Sequence, residues 1–95
     1  MNVVGISVLD EFADKHGDVR DQIASWVNET MAATWQTPAD IKARYASASF
    51  LAHNRVVFNL KGSKYRLEVV VGYKNQTVLV KRIGTHAEYS RWSDR

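Results

Sequence analysis

Ninety-five residues make one domain, 1–95, and leave no room for a second. The absence of cysteine excludes disulfide staples, thiolate metal sites and thiol nucleophiles, and a hydrophobic content of 45% excludes wholesale disorder. The net charge of +3 is unevenly spread: residues 1–47 carry four Lys/Arg against seven Asp/Glu, residues 48–95 nine against three, so the second half asks for a polyanionic partner.

No apolar run approaches the ~20 residues of a transmembrane helix. The opening stretch MNVVGISVLDEFADKH lacks a basic region and turns acidic at once, unlike a signal peptide. A cytoplasmic protein with no membrane partner is expected.

Asn2–Val4 is short and β-branched, suited to an edge strand. Ser7 with Asp10 three residues on predicts a capped helix start, and Val8, Leu9, Phe12 and Ala13 its apolar face. His16-Gly17 predicts its stop, with Gly17 as a left-handed cap. Asp18 with Asp21 predicts a second start. Val19, Ile23, Trp26, Val27, Thr30 and Met31 then recur at helical spacing. So short a turn makes the two helices a hairpin. Asp10, Glu11, Asp14, Asp18 and Asp21 read as caps and solvated face. Thr37, Pro38 and Asp40 are an N-cap, a first helical residue and a capping-box partner, predicting a third helix to about Tyr45. Trp26 and Trp35 read as core.

From Ser49 the period changes to two. Arg55–Leu60, Tyr65–Tyr73 and Thr77–Ile83 alternate as strands, joined by turns at Lys61-Gly62-Ser63 and Lys74-Asn75-Gln76. Helices followed by a meander predict an α+β fold, an N-terminal helical hairpin packed on an antiparallel β-sheet with its other face open.

Alternation sets Leu67, Val69 and Val71 inward and Arg66 and Glu68 outward. It sets Val78 and Val80 inward and Leu79, Lys81 and Ile83 outward. Arg66 and Lys81 then share the open face, a floor for phosphates. The plain structural alternative is a polar face in which Arg66 pairs with Glu68 or Glu88.

Directly after the last strand, Thr85 with Glu88 forms a capping-box pattern that places His86 and Tyr89 three apart on one helical turn. An imidazole can move protons near neutral pH. His16 and His53 have no metal-like spacing to His86, so no metal and no cofactor are expected. Trp92, in the tail RWSDR, is a candidate for base stacking or partner contact.

Asp40-Ile41-Lys42, the run RVVFNLKGSKYRL from Arg55 to Leu67, and Gly84-Thr85-His86-Ala87-Glu88-Tyr89 together resemble the HigB toxins of bacterial type II toxin–antitoxin pairs, within the RelE-like superfamily of mRNA interferases. The resemblance covers nearly the whole chain. It implies helices against a curved antiparallel sheet, cleavage of mRNA on the translating ribosome, and a HigA-type helix-turn-helix antitoxin as partner. It also implies Arg66 against the scissile phosphate, His86 as acid or base and Tyr89 as a further catalytic side chain. Arg55, Lys61, Lys64, Lys81 and Arg82 are expected to make up the RNA-binding shell. The chain departs from the pattern at Lys81-Arg82, where one basic residue followed by an apolar one is expected. It departs again at Ser90-Arg91-Trp92, where an Asp is expected after the tyrosine. Two other readings stand beside it: a non-catalytic RNA- or ribosome-binding module using the same basic face, and a degenerate relative kept for protein interaction.

Overall fold

A computed structural model describes residues 1–92. The elements run β1 (Asn2–Val4), α1 (Ile6–Lys15), a 3-10 turn (Gly17–Val19), α2 (Arg20–Ala32), α3 (Pro38–Arg44), β2 (Ser49–Phe50), β3 (Arg55–Leu60), β4 (Tyr65–Gly72), β5 (Thr77–Thr85) and α4 (His86–Ser90). This is the α+β architecture expected. Among the described residues, no helix is long and apolar enough to cross a membrane.

The sheet has five strands in the order β1-β5-β4-β3-β2. β2, β3, β4 and β5 pair antiparallel. The expected edge strand β1 is present but runs parallel to β5, Asn2 opposite Thr77, which makes the sheet mixed. One face of the sheet carries the helices. Leu9, Ala13, Val19, Ile23 and Trp26 from the helical layer share one buried cluster with Val56, Phe58, Leu60, Leu67, Val69, Val71, Val78 and Val80 from the strands. Phe58 lies at its aromatic centre, with ring centroids 5.4 Å from Trp26, 6.3 Å from Trp35 and 5.1 Å from Tyr45. Trp26 and Trp35 are core residues, as expected.

The helix starts follow local rules only in part. Thr37 and Asp40 form the expected capping box, the Asp40 carboxylate accepting from the Gln36 and Thr37 N–H groups at 2.8 and 3.2 Å. Ser7 is no cap. Gly5 takes that position with φ 95°, and α1 has begun by Ile6. A β-carbon on Gly5 would also stand 3.2 Å from the Val80 side chain and carbonyl, so glycine both turns the chain and lets it approach β5. Gly17 has no positive φ and opens the 3-10 turn rather than closing α1 with a left-handed cap.

Asp18 is no cap either. Its carboxylate accepts from the Tyr65 hydroxyl at 2.7 and 3.0 Å and from Lys64 Nζ at 2.8 Å, tying the helical layer to β4. These bonds, the one from Lys64 foremost, hold Asp18 below the usual carboxylate range. A hydrogen-bonded tie to the neighbouring layer displaced the local capping role.

One irregularity decides how the open face is built. Val69 faces Val80, but Glu68 faces Arg82, so Lys81 is an extra residue in β5, a β-bulge. Strict alternation places Ile83 outward. The bulge reverses it, and Ile83 packs against the core.

Candidate functional site

Arg66 sits near the start of β4, opposite Gly84 of β5. Gly84 is a point of close approach: a β-carbon there would stand 3.1 Å from Glu88 Cβ and 3.2 Å from Trp92 Cζ2. The absent side chain lets α4 fold back beside the strand ends. Thr85 closes β5 and caps α4, its Oγ1 accepting from the Glu88 N–H at 3.2 Å while its own N–H donates to Glu88 Oε1 at 2.8 Å. That backbone bond is the main reason the Glu88 carboxyl lies below its ordinary range. The His86 N–H donates to the Lys64 carbonyl at 2.9 Å, pinning the helix start to the turn between β3 and β4. Otherwise α4 is lightly held. It contains no buried residue, and a pocket of about 270 Å3, lined by Val8, Phe12, His16, Ile83 and Glu88 among others, lies between it and α1.

Aromatic rings and guanidinium groups join α4 to the open face. The Arg66 guanidinium lies over the Tyr89 ring at 4.7 Å. Tyr89 meets Trp92 edge-on at 5.3 Å, and Arg82 lies over the Trp92 ring at 4.2 Å. Stacked contacts of this kind orient a guanidinium without neutralising it.

One residue pair further along β4, the other cations gather on a carboxylate. Glu68 is fully buried on the open face. Its Oε1 accepts from Arg82 Nη2 at 3.0 Å and Nε at 3.2 Å. Its Oε2 lies 3.8 Å from Arg55 Nη1 and 3.7 Å from Lys81 Nζ. The bulge makes this convergence: Lys81 and Arg82, consecutive in β5, both reach Glu68.

The structure brings Arg66 and Tyr89 into contact where β4 begins and β5 ends, and His86 opens the helix that carries Tyr89. Arg82 adjoins them through Trp92, and Arg55 and Lys81 lie one step along, around Glu68. Two members of the expected shell sit elsewhere. Lys64 is paired with Asp18. Lys61 is exposed in the turn between β3 and β4, its N–H donating to Gln22 Oε1 at 2.7 Å. Sequence reasoning missed the Glu68 centre. The signal for it was the Lys81-Arg82 pair itself, since two consecutive cations before an inward Ile83 do not fit a two-residue period unless the strand bulges.

Chemically, the arrangement offers a guanidinium fixed on a ring. Arg66 Nε is buried and has no acceptor among the described residues. Buried donors are nearly always satisfied, so this one is open to an acceptor from outside the described residues, a water or an anionic oxygen. His86 is exposed on the first turn of α4, the helix that also carries Tyr89. Among the described residues no group of three or more His, Cys, Asp or Glu side chains converges as metal ligands do.

A family model described as HigB toxin, RelE-like toxic component of a toxin-antitoxin system, matches residues 19–92. The matched span takes in α2, α3, β2 to β5 and α4, hence every residue of the site just described. A comparison with curated proteins gives no match.

Proposed function

The chain belongs to the HigB family of RelE-like toxins of toxin–antitoxin systems, and from that premise we propose that it is an endoribonuclease that cuts mRNA on the translating ribosome in the cytoplasm, restrained by a HigA-type helix-turn-helix antitoxin. The observation that carries this reading is the setting of Arg66. Its neighbours Arg55, Lys81 and Arg82 are drawn to Glu68, whereas Arg66 rests on Tyr89 and keeps an N–H donor without an acceptor among the described residues.

In this mechanism the RNA 2′-hydroxyl attacks the adjacent phosphorus and His86 takes its proton. The bond from phosphorus to the 5′-oxygen breaks, a 2′,3′-cyclic phosphate forms, and the leaving oxygen regains a proton from the imidazolium. Arg66 stabilises the charge that builds on the non-bridging oxygens, a contact worth about 3 kcal/mol. Tyr89 holds the guanidinium in line. The chemistry needs no metal, because the arginine supplies the positive charge.

Inducing the chain in cells and mapping mRNA 5′ ends tests the proposal. New ends inside reading frames are expected for the wild type. Arg66→Ala is expected to lower cleavage about 10²–10³-fold, and His86→Gln about 10²-fold or more, both with an unchanged melting temperature. A substrate with hydrogen in place of the scissile 2′-hydroxyl should stay intact. Growth arrest without new ends, undiminished in His86→Gln, would instead identify a non-catalytic RNA- or ribosome-binding module.

A further inference from the structure

The mechanism proposed above gives Glu68 no part, yet it is the most heavily invested charge on the open face. Its side chain is 0% exposed, against 13% for Arg55, 39% for Lys81 and 26% for Arg82. A carboxylate withdrawn from water loses its hydration and is retained only where cations and donors replace it. Here the replacement is lopsided. Oε1 has the two Arg82 hydrogen bonds, while Oε2 has no hydrogen-bond donor among the described residues and faces Arg55 and Lys81 at 3.8 and 3.7 Å. Those distances are too long for hydrogen bonds but short enough for strong attraction in a partly desolvated site. A purely structural role for Glu68 needs only Arg82, its direct cross-strand neighbour. The bulge that adds Lys81 and turns it toward the same carboxylate goes beyond that need.

We propose that Glu68 is a positioning residue that sets where RNA lies: it holds Arg55, Lys81 and Arg82 by charge and thereby leaves Arg66 as the strongest phosphate contact on the face. Without Glu68, three cations one step along β4 would lose the carboxylate they share, and that part of the face would draw phosphate more strongly. A phosphate captured there would stand off register from Arg66 and His86. With Glu68 present, the three cations still steer RNA toward the face, but each is partly neutralised and none outbids Arg66. The inference rests on the proposed RNA-cleaving function for its catalytic half and on electrostatics alone for its binding half.

The test is Glu68→Gln, which removes the charge and keeps the shape. Single-stranded RNA binding to the full chain is measured by anisotropy over a range of salt, and cleavage of bound RNA in a single turnover. Binding is expected to tighten several-fold, and the slope of log affinity against log salt to steepen by about 0.7, one more phosphate neutralised. Cleavage of bound RNA is expected to fall, by about 10²-fold for a misplacement near 1 Å. A side chain that merely supports the fold would move neither the slope nor the affinity upward, so an unchanged or shallower slope overturns the proposal. So does cleavage that rises in step with binding. Should Glu68→Gln fail to fold, Glu68→Gln/Lys81→Gln is compared with Lys81→Gln alone, and the same steepening is expected with the most exposed of the three cations gone. If the wild type binds RNA and never cuts it, the cleavage reading fails while the slope still decides the role of Glu68.

Discussion

Tyr89 shows how one side chain can matter through its neighbour. Its ring lies 4.7 Å from the Arg66 guanidinium and 5.3 Å from Trp92. If the ring's task is to hold Arg66, its hydroxyl is dispensable. Tyr89→Phe is then expected to cleave RNA within about twofold of the wild type, whereas Tyr89→Leu loses a stacking contact of about 1 kcal/mol, or about fivefold in rate. Equal losses in the two variants, measured in a single turnover, would instead give the phenol a direct part in proton transfer. The positions of Arg66, His86 and Tyr89 in the fold are legible in the sequence because each stands beside a turn or strand end whose signal is local. Glu68 is not. A lone carboxylate at an outward strand position reads as a solvated pair partner; Arg55 reaches it from β3, and the bulge that sets both Lys81 and Arg82 beside it shows in the sequence only as two consecutive cations.

At the scale of the element, α4 combines a strong start with little burial. The Thr85–Glu88 box fixes its first turn, the Lys64 carbonyl holds the His86 N–H, and none of its residues is buried. Its stability is therefore partly separate from that of the core. Thr85→Ala removes a cap worth about 1 kcal/mol. Were α4 to unfold with the core, that loss would lower the melting temperature by about 4–8 °C. The expected result is a smaller fall together with about fivefold slower cleavage, because fraying displaces His86 and Tyr89 before it disturbs the sheet. A full melting shift with unimpaired cleavage would reverse that order. The boxes at Thr37 and Thr85 can be read from sequence because cause and effect lie three residues apart. Ser7 has the same spacing with Asp10 yet caps nothing, since Gly5 at φ 95° starts the helix earlier. The parallel pairing of β1 is illegible for a different reason: Asn2 meets Thr77 across nearly the whole chain, and no local pattern encodes that partner.

For the molecule as a whole, the two faces of the sheet have opposite duties. The helix-covered face must supply nearly all the stability, because the open face concentrates like charges that repel one another. That leaves a small core with its load on a few large side chains. Phe58 is the clearest case, fully buried and in contact with the rings of Trp26, Trp35 and Tyr45. Phe58→Ala is expected to cost about 3–5 kcal/mol, a large share of the roughly 5–15 kcal/mol of a typical domain. Phe58→Leu, which keeps most of the volume, should cost much less. Urea unfolding checks both, as a lower midpoint with an unchanged slope. Selection for survival of induction would therefore return two kinds of variant. Core losses such as Phe58→Ala abolish growth arrest by lowering the folded population, and a stabilising partner or lower temperature should restore it. Losses at Arg66 or His86 leave a folded, soluble chain that no such condition rescues. If Phe58→Ala proved fully folded and still failed to arrest growth, the division of labour between the two faces would be wrong, and the core would be reaching the site by a route other than stability.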